Sequence, residues 1–137
     1  MRVREPGRQE LSRAAELARR LDLDYPGMEN DRLWVAEEGG ETVGLVALKT
    51  HSDCLELCAL GVEPGHRGRG VGRALVEAVV AAAGAAVHLA TVIPAFFEAC
   101  GFVESENVPR AFAAKRRTAW CDGCDRTACR VMVRRAS

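Results

Sequence analysis

The residues whose types and spacing bear most directly on chemistry are Arg67-Gly68-Arg69-Gly70-Val71-Gly72. They sit between an apolar, strand-like run ending at Val62 and an Ala/Val-rich helix. A strand that feeds a glycine-rich turn opening a helix suits a pyrophosphate. Glycines let the backbone come close, the amides point at the anion, and the helix start adds positive dipole. Two common nucleotide patterns are excluded. A P-loop needs Lys-Ser/Thr after its last glycine, and Arg73-Ala74 follow Gly72. A dinucleotide fingerprint needs Gly-x-Gly-x-x-Gly, and Gly68, Gly70 and Gly72 are spaced by two. Arg67, Arg69 and Arg73 flank the turn as phosphate partners, or form a solvated charged loop.

The second feature is Glu56. Strand alternation from Cys54 to Val62 puts Cys54, Glu56, Cys58, Leu60 and Val62 on one face, and Leu55, Leu57 and Ala59 on the other. A carboxylate among apolar neighbours on a core strand is either a structural group, in water at a sheet edge or paired with an arginine, or a general base. Desolvation disfavours the charged form of a carboxyl, which suits a base working near neutral pH. A backbone N–H near Leu60, Gly61 and Val62 is the simplest donor for a developing oxyanion.

The third feature is Cys121-x-x-Cys124-x4-Cys129, with Asp122-Gly123 supplying a tight turn. The first spacing is that of a metal knuckle, zinc above all. Three thiols leave a fourth ligand to come from afar, such as His51, His66, His88 or Cys100. Redox-active thiols or plain reduced cysteines are the alternatives. His66 reads as a turn residue and His88 as a core-strand residue.

These groups need elements to hold them. Arg2 to Glu5 reads as a short strand ended by Pro6-Gly7. Leu11, Ala14, Ala15, Ala18 and Leu21 recur at helical spacing. Leu33 to Ala36 and Thr42 to Leu48 read as strands joined through Glu38-Gly39-Gly40-Glu41, a hairpin turn. Cys54 to Val62 is the next strand. The helix after Gly70 carries Val71, Leu75, Ala78, Val79 and Ala82 on one face and stops near Gly84. Ala86 to Ala90 is an apolar strand between helical segments, so parallel and buried. Pro94 starts a short helix that stops at Gly101. Phe102 to Glu104 and Arg130 to Val133 are short strands.

The pattern Arg-x-x-Gly-x-Gly resembles the acyl-CoA turn of the GNAT superfamily of N-acyltransferases. Pro94-Ala95-Phe96-Phe97-Glu98-Ala99-Cys100-Gly101-Phe102, about 25 residues on, is similar to that family's aromatic-pair helix ending in Gly-Phe. The resemblance covers most of the chain and is strongest from Leu55 to Phe102. It implies an α/β (α+β) fold with a mixed sheet of six to seven strands and about four helices. It implies a single acyl-CoA N-acyltransferase domain over 1–137, with a Cys-bearing hairpin at about 118–130.

It further implies acetyl-CoA as cosubstrate, held by Leu60 to Val62, Arg67 to Arg73, Phe96 and Phe97. Glu56 takes the base role by resemblance. Many relatives place a Tyr in the aromatic pair to protonate the departing thiolate, and Phe97 stands here instead. Cys100 and Tyr25 are the other donors available. Val108-Pro109, a basic stretch, Trp120, the three cysteines and the final Val-Met-Val resemble the C-terminal segment of short bacterial N-acetylglutamate synthases. A glutamate acceptor needs cationic partners, for which Arg32, Arg110, Lys115, Arg116 and Arg117 are available. Acetylation of another amine, or a non-catalytic acyl-CoA-binding or metal-sensing module, are the competing readings.

Bulk properties are ordinary for a soluble globular protein. The 137 residues suit one domain, with 48% hydrophobic and 28% charged side chains. No run reaches the ~18 apolar residues of a membrane span, and no signal-peptide pattern opens the chain. A cytoplasmic site, a small-molecule amine partner, no membrane and no nucleic acid are therefore expected, with a homodimer left open. Zero net charge conceals a split. Residues 1–109 carry 11 basic and 17 acidic side chains, residues 110–137 carry 8 and 2. The basic tail has only Phe112 and Trp120 as aromatics, which disfavours nucleic acid and suits an anionic substrate.

Overall fold

The computed structural model describes residues 1–115 and 129–135. In chain order these form β1 (Arg2–Arg4), α1 (Leu11–Arg20), β2 (Arg32–Glu38), β3 (Glu41–Thr50), β4 (Leu55–Val62), α2 (Val71–Ala83), β5 (Val87–Thr91), α3 (Pro94–Ala99), β6 (Val103–Glu104), α4 (Arg110–Lys115) and β7 (Arg130–Arg134). The sheet is mixed and seven-stranded, in the order β1-β2-β3-β4-β5-β7-β6. The chain divides into two compact units, Met1–Lys49 with Leu57–Ala82, and Thr50–Glu56 with Ala83–Ser137. Among the described residues no helix is long and apolar enough to cross a membrane.

The first unit is built on an antiparallel meander. Val3 pairs with Ala36, and Val35 with Leu45. Gly39 and Gly40 both take positive φ, 57° and 83°, as a tight hairpin turn matching the strand twist requires. Leu33, Val35, Leu45 and Ala47 pack with Ala14, Leu17 and Ala18 of α1. The buried stripe of α1 is thus Ala14, Leu17 and Ala18. Leu11, expected on that face, is exposed because it opens the helix.

Gly44 alternates with Leu45 and so faces the other side of the sheet, toward α2. A Cβ on Gly44 would lie 3.0 Å from Leu75 Cδ1, and 3.2 Å from both Val71 Cγ1 and the Gly61 carbonyl oxygen. Val71, Leu75, Val76 and Val79 are buried, while Ala82 is exposed at the end of the helix.

In the second unit β5 pairs parallel with the start of β4, through Leu55↔Val87 and Glu56↔His88. It pairs antiparallel with β7 on its other side, from Val87↔Arg134 to Thr91↔Arg130. The expected parallel strand therefore has mixed neighbours, and its burial alternates rather than being continuous. Gly101, at φ 88°, ends α3 by donating its N–H to the Glu98 carbonyl. Phe97, Phe102 and Phe96 stack edge-to-face behind it, with centroids 5.8 and 4.9 Å from Phe97. The α4 helix was not expected. Its N-terminus is capped from a distance by Asp53 Oδ2, which accepts the Arg110 N–H at 2.9 Å.

Two outcomes follow from this packing. Gly44→Val should destabilise the protein by about 1–3 kcal/mol in urea unfolding, since its branched side chain meets α2 and backbone together. A loss below roughly 0.5 kcal/mol would show that α2 can move away at no cost. Arg4, on β1, bridges Glu10 and Glu37. Its hydrogen bond holds the Glu10 carboxyl down to about 2. A lowered carboxyl contributes stability above its unfolded range and loses it as pH falls through the folded value. The stability gap between wild type and Glu10→Gln should therefore be largest near neutral pH and close as pH falls from about 5 toward 2. A gap that stays constant over that range would remove the assignment.

Candidate functional site

The glycine turn belongs to the first unit. After β4 the chain runs through a single turn of 3-10 helix at Pro64–His66 and enters the turn. Gly68 and Gly70 adopt positive φ, 79° and 82°, and a Cβ at either would meet nothing within 4 Å. The conformation demands glycine, and the space above it is open. Gly70 O accepts the Ala74 N–H at 3.0 Å, so α2 starts at once and its first amides stay unpaired within the helix. The turn expected to cradle a pyrophosphate thus has two left-handed glycines with open space beside them, directly before α2.

The arginines are differentiated. Arg67 Nε donates to the Val62 carbonyl at 3.0 Å, tying the turn to the strand end. Arg69 Nη1 lies 3.5 Å from Glu38 Oε2, and His66 Nδ1 lies 2.7 Å from the same oxygen. His66, then Arg69, hold the Glu38 carboxyl below its usual range against a desolvation that raises it. Arg73 is exposed on the first turn of α2. Glu38 escaped the sequence reading, since a carboxylate beside a hairpin glycine looks like ordinary turn chemistry. An open polar groove of about 660 Å³, lined by Arg13, Arg20, Glu41, Glu63, Gly65 and His66, adjoins this segment.

Within the same unit, β4 departs from regular geometry. Ala59 has φ 55°, a left-handed conformation rare for a residue with a Cβ. Cys58 and Ala59 are consecutive, yet both pack on the α1 core cluster. The expected alternation therefore stops at Ala59, and Leu60 and Val62 do not continue the Glu56 face. No sequence pattern marks this break. Local strain of this kind concentrates at functional sites. Leu60, Gly61 and Val62 follow it and are all half-buried.

Tyr25 also lies in the first unit. Its hydroxyl donates to Asp31 Oδ2 at 2.6 Å and accepts from Cys58 Sγ at 3.5 Å. Burial, then the bond to Asp31, push its pKa up strongly, so the phenol keeps its proton. Lys49 Nζ sits 4.9 Å over the Tyr25 ring. Arg32, expected as an acceptor-binding cation, is instead engaged by Glu5 at 3.0 Å and the Trp34 ring at 4.8 Å.

The second unit carries Glu56, which is 3% exposed. It sits on β4, an interior strand of the sheet. His51 Nε2 lies 2.7 Å from its Oε1. His51 comes from the β3–β4 hairpin, where its N–H donates to the Cys54 carbonyl at 2.9 Å. Sequence reading offered His51 only as a remote metal ligand. Its five-residue spacing from Glu56 becomes a contact because the chain turns back between them. His88, opposite Glu56 in the register, has a buried Nδ1 with no partner among the described residues. Burial, then Arg135, lower its pKa against a raising effect of Asp53. The Cys54 thiol is pushed up to about 11 by burial, then by Asp53 and Glu56.

Phe97 is buried in its aromatic stack and Phe96 is half-buried. Cys100 is buried beneath α3, where its carbonyl accepts from Arg134 Nη1 at 2.8 Å. Arg110 begins α4 and Lys115 ends it. Arg116, Arg117, Trp120, Cys121 and Cys124 lie outside the described residues, as does most of the expected hairpin. Cys129 is a free, half-buried thiol. Among the described residues no group of three or more His, Cys, Asp or Glu side chains could hold a metal.

Comparison with known proteins agrees with the fold. Mouse N-acetyltransferase 8 is 37% identical over 66 residues, 44% of this chain and 29% of that protein. The chain thus spans under a third of that relative's length. N-acetylglutamate synthase from Neisseria gonorrhoeae, complexed with coenzyme A and N-acetyl-glutamate, superposes with a TM-score of 0.80 at 22% identity. That match covers 99% of this chain and 35% of the synthase. Rv2747 from Mycobacterium tuberculosis, in complex with CoA, gives 0.73 at 22% identity and covers 98% and 99% of the two chains. Residues 29–104 match the family model of the GNAT acetyltransferase domain. With more than half its length in that match and a seven-stranded mixed sheet around it, this chain belongs to the GNAT acetyltransferase family.

Proposed function

We propose that the chain transfers an acetyl group from acetyl-CoA to a primary amine by direct attack, with an acidic amino acid such as glutamate as acceptor. One observation carries the reading. A single strand, β4, bears a buried carboxylate at its start and runs on into an anion-ready turn with two left-handed glycines. The amides at the head of α2, with Arg73 exposed beside them, would hold the pyrophosphate. Phe96 and Phe97 would add apolar contact to the cosubstrate.

Acetyl-CoA, when bound, supplies the thioester carbonyl that the amine attacks. The chain's own task is to remove the ammonium proton, because only the free amine has a lone pair to give. Glu56 would accept it, a role its burial on β4 supports. A backbone amide from Leu60 to Val62, just past the Ala59 break, would donate to the developing oxyanion. Phe97 has no proton to offer, so the thiolate leaves unassisted or takes a proton from elsewhere. A thiol is acidic enough, near pKa 8.5, for unassisted departure. Glutamate is favoured by the fold similarity to a synthase bound to N-acetyl-glutamate and by the basic residues from Arg110 onward. The buried phenyl ring of Phe97 is also what a non-catalytic acyl-CoA-binding module would tolerate, and turnover separates the two.

The turn is tested by Gly70→Asp, which should abolish acetyl-CoA binding in calorimetry while the protein stays folded. Gly70→Asn tolerates the left-handed backbone equally but brings no charge, and should lose less. Undiminished affinity in Gly70→Asp would end the pyrophosphate assignment. The base is tested by thiol release across a panel of L-glutamate, other amino acids and polyamines. Glu56→Gln should cut turnover by roughly 10²–10⁴ with acetyl-CoA affinity nearly unchanged. The loss should shrink at high pH, where free amine is abundant. A wild-type rate at neutral pH would make Glu56 structural.

A further inference from the structure

We propose that the segment 20–25, which leaves α1, is a clamp on β4 that aims the backbone amides of residues 60–62 at the oxyanion, with Leu23 and Tyr25 as its positioning residues. The proposal rests on the reading of those amides as the oxyanion donors.

The segment follows the strand in the opposite direction. Arg20 Nη2 meets Glu63 Oε1 at 2.7 Å, just past the strand end. Leu21 and Leu23 come next and press on Gly61. A Cβ on Gly61 would overlap Leu23 Cδ1 and stand 3.1 Å from Leu21 Cδ1. Tyr25 follows, and its hydroxyl accepts from Cys58 Sγ at 3.5 Å. The contacts thus step back from residue 63 to residue 58 as the segment advances from 20 to 25. Those of Leu23 and Tyr25 fall on either side of the Ala59 break.

Both partners in this contact hold unusual backbone. Among the described residues, Asp22 and Ala59 are the two non-glycine residues with positive φ, each at 55°. Asp22 ends α1. Its N–H donates to the Arg19 carbonyl at 3.2 Å, and the Leu23 N–H donates to the Ala18 carbonyl at 2.8 Å. That is a Schellman end, which turns the chain and leaves the next residue free to make an apolar contact. Leu23 makes that contact, packing with Ala59 on the same core cluster. Left-handed residues that carry a Cβ persist only where their surroundings over-determine them. Gly61 itself is not left-handed, so its lack of a side chain serves the close approach of Leu23.

Tyr25 is held in turn. Its hydroxyl donates to Asp31 Oδ2 at 2.6 Å, and Lys49 Nζ lies 4.9 Å over its ring and 4.0 Å from the same oxygen. Burial, then the bond to Asp31, keep the phenol protonated. The hydroxyl is therefore a fixed neutral bridge from Asp31 to Cys58. An oxyanion donor works only when it points at the oxygen from hydrogen-bond distance. Misplacement by about 1 Å can cost roughly 100-fold. Residues 60–62 follow a break in regular strand geometry, so their direction depends on what grips the strand around that break.

The test uses the full chain and the amine of the thiol-release panel that the wild type turns over fastest. Tyr25→Phe keeps the ring and removes the bridge to Cys58. Leu23→Ala keeps the turn and removes the side chain on Gly61. Each should lower kcat by roughly 10- to 100-fold. Acetyl-CoA affinity in calorimetry should stay within about twofold, and the pH–rate profile should keep its wild-type shape, since the base is untouched. Gly61→Ala pushes the end of Leu23 aside and should also be slow. Combined with Leu23→Ala, its methyl group fills the vacated space, so the double variant should be faster than either single one. A merely structural role would lower binding and rate together. Should Leu23→Ala not fold, Tyr25→Phe and Gly61→Ala decide. Wild-type kcat in both, an affinity that falls in step with kcat, or a changed pH profile would overturn the clamp and leave the transferase reading standing. A wild type that binds acetyl-CoA but releases no thiol with any amine would overturn the transferase reading, and the clamp with it.

Discussion

The position of the glycine turn before α2 depends on one close approach, that of α2 to the sheet at Gly44. The 3.0–3.2 Å that a Cβ would have to Leu75, Val71 and the Gly61 carbonyl leaves no room for any other residue without displacement. Val71 and Leu75 are fully buried over that gap. Because Val71 is the first residue of α2, its burial fixes where the helix begins, and so where its unpaired amides point. The Arg67 bond to the Val62 carbonyl and the Glu63 bond to the Val43 carbonyl fasten the chain on the strand side. The glycines of the turn can then be left-handed and unsupported from above, since packing below already holds both ends.

Burial imposes a second constraint, in the other unit. A carboxyl taken out of water costs several kcal/mol unless hydrogen bonds replace its hydration. His51 supplies one such bond, and the β3–β4 hairpin exists in a form that delivers it. The same hairpin presents Asp53 to the start of α4, and α4 places Phe112 on the rings of His51 and His88. Four residues of turn thus solvate a buried acid, cap a helix and cover an imidazole. Asp53 is thus linked to Phe112 through the start of α4, and Phe112 to His51 through their rings.

Much of this was legible in the sequence because its determinants are local. Apolar alternation located the strands, Gly39-Gly40 the hairpin, Pro94 and Gly101 the ends of α3, and the glycine run the turn before α2. The parts that were not legible depend on residues far apart in sequence. Glu38 meets His66 and Arg69 across a hairpin and a strand, and nothing in its own neighbours distinguishes it from a solvated turn residue. The α4 helix takes its cap from Asp53, 57 residues upstream. The Ala59 conformation cannot be read from an alanine, because no glycine or asparagine marks the left-handed position. The face assigned to Leu60 and Val62 failed for that reason, since a period of two survives only while every residue stays extended.

The same logic bears on the missing acid. Phe97 is not a tyrosine stripped of its hydroxyl at an exposed position. It packs edge-to-face against Phe96 and Phe102 and is almost wholly buried, so a phenol there would need a partner for its O–H. The site is consistent with an apolar ring, not merely lacking a polar one. Tyr25 does not serve as a ready replacement, because its proton is committed to Asp31 and its ionisation is strongly disfavoured. Phe97 and Tyr25 are thus each committed to the packing or hydrogen bonding around them, whereas the buried Glu56 carboxyl stands in contact with the partly exposed His51 ring.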